Sequence, residues 1–234
     1  MNSKDVLLRN LFSAVLALCT CLDARAEDDG NYLLQLQKSY QLFETYKDVG
    51  TFETRYFTNG ELDFSDAKEF RTFFVRPDKF RFEWTNSNSL LAEKFNIIVR
   101  IGEDVVSFNH GQGYKEMSDL KSAVFENAGV SSGAVYFIPS LLMDEIPIQD
   151  LSRFENIELK PAEPAKGDEI TILSLFYRSG TIEKIYVDAQ KKQVLKLERT
   201  RKEGARTIEE LITYKSITVD SAINDEEFGI KDLK

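Results

Sequence analysis

The sequence predicts an α+β chain that is mostly β, with about eleven antiparallel strands, an N-terminal helix and two central helices. Three observations predict it. Apolar and polar residues alternate in short runs divided by turn signals such as Asn59-Gly60 and Ser179-Gly180. Those runs form two blocks, 51–117 and 154–219, separated by a stretch whose apolar residues recur at helical spacing. Within the first block, Phe73 to Trp84 reads FFVRPDKFRFEW, two aromatic-rich runs meeting at Pro77-Asp78, a pair suited to a tight corner.

Taken in order, residues 1–26 read as an export signal. Lys4 and Arg9 give a positive start, Leu11 to Leu18 an apolar core too short to span a bilayer, and Ala24-Arg25-Ala26 a cleavage site. Cleavage after Ala26 leaves residues 27–234 as one exported domain without cysteine, since Cys19 and Cys21 are the only two. Neither cysteine follows a small residue (Leu18 and Thr20 precede them), which disfavours lipid anchoring there.

Leu33, Leu36, Tyr40 and Phe43 make one apolar stripe on a helix expected over Tyr32 to Tyr46 and ended by Gly50. Strands are expected over Thr51–Thr58, both arms of the Pro77 hairpin, Phe95–Ile101, Val105–Phe108 and Tyr114–Met117. Beyond the corner, Phe80, Phe82 and Trp84 share one face, with Lys79, Arg81 and Glu83 on the other. Ser118 is placed to cap a helix running to Ala128, and Val135 to Met143 forms a second helical piece beyond the Ser131-Ser132-Gly133 hinge. The second block returns to strands at Phe154–Leu159, Ile170–Tyr177, Thr181–Asp188, Gln193–Arg199 and Thr207–Val219. Ile170 to Tyr177 is apolar on both faces and is expected mid-sheet. Arg201 to Arg206 is a charged loop around Gly204, and Phe228 and Ile230 are possible anchors of the tail.

The net charge of −9, with no basic block, excludes the clustered cations that nucleic acid or an anionic membrane surface requires. Gly129-Val130-Ser131-Ser132-Gly133 matches G-x-S-x-G, but a helical stretch precedes Ser131 and the lone His110 lies upstream, so a hydrolase is the weakest reading. One histidine and no mature cysteine build no metal site, and no phosphate loop or dinucleotide fingerprint calls for a cofactor. The 17 Phe and 9 Tyr fit either a filled core or an apolar cavity between a curved sheet and the central helices.

Val75-Arg76-Pro77-Asp78-Lys79-Phe80-Arg81-Phe82 resembles the "(K/V)RPxxFxW"-like signature of the periplasmic lipoprotein carriers LolA and LolB. The order of elements is similar over about residues 31 to 220. The family tryptophan falls on Phe82 here, with Trp84 two residues on and on the same face. The resemblance implies an open, strongly curved half-barrel lidded by helices and a cavity for acyl chains. It also implies periplasmic location, action as a monomer without enzymatic activity, and transport partners at the inner or outer membrane. It implies a cavity lined by Phe52, Phe74, Phe80, Phe82 and Trp84, with Val124, Ile138, Leu141 and Leu142 from the lid, and Arg76 holding the lid shut. Regulatory domains that sense lipoproteins share that fold, so a sensor or scaffold binding a protein partner is the alternative.

Overall fold

A computed structural model describes residues 31–85, 95–109, 111–148, 150–161 and 169–229. The expected export signal, His110 and Ile230 lie outside the described residues. Helix α1 (31–40) is followed by β1 (Thr45–Thr58), β2 (Glu61–Val75), β3 (Lys79–Thr85), β4 (Phe95–Ile101), β5 (Asp104–Asn109) and β6 (Gly113–Met117). Then come α2 (Leu120–Ala128), α3 (Ala134–Leu142), β7 (Phe154–Pro161), β8 (Ile170–Tyr177), β9 (Ile182–Asp188), β10 (Gln193–Glu203) and β11 (Arg206–Val219). Short 3-10 turns lie at Leu151–Arg153 and Asp225–Phe228.

Among the described residues, eleven strands form one antiparallel sheet in the order β6-β5-β4-β3-β2-β1-β11-β10-β9-β8-β7. Two meanders therefore join where β1 pairs with β11, and the sheet ends on β6 and β7 without closing into a barrel. The connection from β6 to β7 is the segment that carries α2 and α3. It is tethered to the two opposite edges of the sheet and crosses the inner face as a strap. This is the open, mostly β half-barrel with an N-terminal helix and central helices that the sequence predicts.

Alternation decides which face is inner. Phe80, Phe82 and Trp84 of β3, and Phe70 and Phe74 of β2, are all buried in one cluster with α1, α2 and α3. Burying each such ring is worth roughly 1.5–3 kcal/mol, so this face fixes the register of the first meander. Residues 225–229 cover the outer face of β3. Phe228 is buried, Arg81 donates to the Gly229 carbonyl at 3.0 Å, and Lys79 meets Asp225 at 2.7 Å. Phe228 thus anchors this segment.

Four sequence expectations are corrected. The first helix ends at residue 40 rather than Tyr46, because Tyr46, Asp48, Gly50 and Phe52 alternate inward on β1 and Tyr46 pairs with Phe74 across β2. Two-residue spacing won over the helical stripe there. The cap of α2 is Asp119, not Ser118; its carboxylate accepts the Ser122 amide at 2.7 Å. β8 lies next to the edge strand β7, not mid-sheet, and Ile170, Ile172 and Phe176 on its outer face stay half-buried. The charged loop around Gly204 shrinks to Gly204-Ala205, since Glu203 already pairs with Arg206.

Candidate functional site

The seam between sheet and strap brings together all nine residues that the carrier resemblance singles out. Phe52, Phe74, Phe80, Phe82 and Trp84 form the floor; Val124, Ile138, Leu141 and Leu142 form the roof, with Leu33, Leu36 and Tyr40 of α1 beside them. All are buried. The floor rings are mutually packed, Phe70 on Phe82 and Phe82 on Trp84 both at 5.6 Å between centroids. None of the nine lines the surface clefts beside Arg199, Glu126 or Glu198. In the seam these side chains pack into one buried cluster.

Polar fastenings pin the strap at its margins. At the α3 end, Arg76 donates Nη2 to the Leu142 carbonyl and Nε to the Phe43 carbonyl, both at 3.1 Å, with its guanidinium 5.1 Å from the Phe74 ring. Gln37 of α1 donates to the Ser140 carbonyl at 3.2 Å, and Arg100 of β4 pairs with Glu145. At the α2 end, Asn127 donates to Ser107 of β5 at 3.3 Å. At the elbow between the helices, the Thr54 and Ser132 hydroxyls lie 2.7 Å apart and Lys68 donates to the Val130 carbonyl at 3.4 Å.

The elbow itself is a backbone device. Ser132 (φ 50°) and Gly133 (φ 82°) turn the chain through left-handed conformations, and Gly133 passes close over Arg199. Ser131 is buried there. Its hydroxyl donates to the Asn127 carbonyl at 2.9 Å and accepts the Val135 amide at 3.4 Å, and it follows α2 rather than a strand. It serves the hinge and does not form a nucleophile elbow.

Two polar groups escaped the sequence reading. The first is a row across four strands, Glu183–Arg199–Glu210–Thr54, each paired in register with the next. Arg199 meets Glu183 at 2.7 Å and Glu210 at 3.2 Å. Burial works against its charge, but the two carboxylates more than offset this and hold its pKa above the usual arginine value. Above the row opens a cleft of about 440 Å³. The signal was present, since Glu183 is in phase with Ile185 and Val187 on the inner face, and Arg199 with Leu197. Only the register unites them.

The second group sits beneath α1. Asp48 is wholly buried, accepts the Tyr46 hydroxyl at 2.8 Å and lies opposite Thr72. Burial pushes its carboxyl up to about 7, with the Thr72 and Tyr46 hydrogen bonds offsetting part of the rise. Tyr46 and Tyr214 are raised further by the same burial and by Asp48. A carboxyl raised in the folded state favours folding below its unfolded pKa and loses that contribution as pH climbs toward 7. The contribution of Asp48 to stability is therefore expected to fall between about pH 4 and pH 7 by at most about 4 kcal/mol. Asp48→Asn should flatten that slope and leave the variant more stable than the parent at pH 8, as read by urea denaturation at pH 5 and pH 8.

No family model matches the chain, and no curated protein matches it. Solved structures similar to it include the MucA/MucB complex of Pseudomonas aeruginosa (TM-score 0.45, 12% identity, 86% of this chain and 60% of that one). Others are an uncharacterised conserved protein of Thermus thermophilus (0.48, 10%, 88% and 96%) and a LolA superfamily protein of Nitrosomonas europaea (0.36, 9%, 85% and 97%). The chain spans 58–62% of the chains it matches in the MucB structures. At these identities the likeness is one of fold alone. Among the described residues no helix is long and apolar enough to cross a membrane.

Proposed function

We propose that this is an exported, non-enzymatic binding protein of the periplasm that takes up acyl chains of a lipid or lipoprotein between the aromatic floor and the strap. One observation carries the reading. The centre of the contact between sheet and strap is an apolar cluster, while the strap is tethered only at the two edges of the sheet and pinned by hydrogen bonds around that cluster. Such a seam can part without breaking the sheet ladder. Each methylene buried from water contributes about 0.8 kcal/mol, so a chain of a dozen offers roughly 10 kcal/mol against the cost of parting it. Arg76 is the clasp in this reading, because it ties the end of α3 to the floor hairpin.

Native mass spectrometry of the purified chain, followed by organic extraction, is expected to reveal a copurified lipid. A clean apo mass under gentle conditions, with no shift on adding a long-chain lipid, would count against the reading. A second reading, a scaffold for a protein partner, draws on the β1–β2 hairpin tip, where Leu62 and Phe64 are 57% and 52% exposed and Tyr56 stands 6.1 Å from Phe64. Crosslinking in the periplasm separates the two: a carrier exchanges its cargo, whereas a scaffold holds one fixed protein.

A further inference from the structure

We propose that the cleft at the strap's elbow is a headgroup site for an oxyanion, a phosphate or carboxylate, at the polar end of the bound chain. The assignment rests on the acyl-chain reading, since a chain lying under the strap would leave its polar end where the two helices part.

In a chain of net charge −9, three arginines converge on this cleft, Arg153, Arg199 and Arg201, beside Phe125, Tyr136 and Tyr177. Arg199 is satisfied by Glu183 and Glu210. The other two are held less firmly. Arg201 has a buried Nε without a hydrogen-bond partner, and its carboxylate neighbour Glu203 stands 3.5 Å away in a pair that is about half exposed. A water-screened pair of that kind is worth little. Arg153, on the Leu151–Arg153 turn, makes no ion pair among the described residues, and the nearby Asp150 is engaged in capping Ser152 at 2.9 Å. The positive end of α3 adds its field through Ser132 and Gly133 on the cleft wall, although its first amides are taken by Ser131.

The cleft thus gathers three guanidinium groups around one lining carboxylate, Glu210, which is already engaged by Arg199 at 3.2 Å. Planar guanidinium forks match the paired oxygens of phosphate and carboxylate. Ring edges and faces from Phe125 and Tyr136, 5.5 Å apart, supply an apolar approach for the first methylenes.

Calorimetric titration of the full chain with dodecyl phosphate, dodecanol and inorganic phosphate tests the site. Dodecyl phosphate should bind at least tenfold more tightly than dodecanol. An Arg153→Gln, Arg201→Gln double variant should lose that tenfold while binding dodecanol as the parent does. Arg153→Glu, a change at a solvent-facing position, should weaken dodecyl phosphate binding further. Unchanged dodecyl phosphate affinity in both variants overturns the headgroup site and leaves the seam reading standing if dodecanol still binds. Arginine-dependent binding of dodecyl phosphate without any binding of dodecanol does the reverse. Inorganic phosphate binding as tightly as dodecyl phosphate would mark a free-oxyanion site and overturn the headgroup assignment. If no probe binds, both readings fall.

Discussion

Gly50→Ala should destabilise the chain by about 3 kcal/mol or more, lowering the melting temperature by roughly 6–12 °C for a domain of this size. A Cβ at Gly50 would stand 2.3 Å from the Phe70 ring and 2.5 Å from the Thr213 carbonyl oxygen. Neither neighbour yields cheaply. Phe70 is stacked on Phe82 and set edge-on to Tyr214, each at 5.6 Å, and the Thr213 oxygen is backbone in the β1–β11 ladder. The register slips beside Gly50, where Val49 pairs with Ser216 but Gly50 pairs with Tyr214, so the two backbones are already close. Adding Phe70→Leu should recover only part of the loss, because it relieves the ring contact and not the carbonyl. Full recovery in the double variant would show that the ring alone sets the requirement for glycine.

Arg199→Met should cost about 3–5 kcal/mol, the usual penalty for removing one partner of a buried ion pair. The loss comes less from the missing attraction than from what remains. Glu183 is wholly buried, and its Oε2 would lose the guanidinium at 2.7 Å and keep only the Tyr177 hydroxyl at 3.3 Å. Glu210 would lose its partner at 3.2 Å but is less deeply buried. The companion change Glu183→Gln should therefore restore more than half of the loss when made in the Arg199→Met background, and should itself be costly in the parent. Denaturant midpoints of the four proteins give the coupling directly. Additive losses would mean that the row across β9, β10 and β11 is not a unit.

The strands were legible because alternation and turn residues are local. Asn59-Gly60 is a turn joining β1 and β2, and Pro77-Asp78 lies at the corner joining β2 and β3. Where two local patterns overlapped, the sequence was ambiguous: Tyr40 and Phe43 continue a helical stripe into Thr45 to Gly50, but tertiary pairing with Phe74 claims that stretch for β1. Spacing put Phe80, Phe82 and Trp84 on one face of their strand, but which face turns inward had to come from the resemblance and not from the pattern. What spacing cannot declare is register. Glu183, Arg199 and Glu210 each look like an isolated charge on an apolar face until three strands align them, and Asp48 becomes a buried carboxyl only once β2 and the core pack around it. Nor does composition reveal whether the aromatic surface is covered by ligand or by the protein's own helices. In this structure the strap covers it.

The lone tryptophan offers the most direct test of the central claim that acyl chains enter this seam, because Trp84 lies buried on its floor. Fluorescence should be titrated with a fatty acyl probe brominated near its chain end, since bromine quenches only on close approach. Saturable quenching of Trp84 that a non-brominated chain competes away is expected, with several-fold faster uptake in Arg76→Ala, where the clasp on Leu142 is gone. Undiminished Trp84 emission at saturating probe, in the parent and in Arg76→Ala alike, would contradict it.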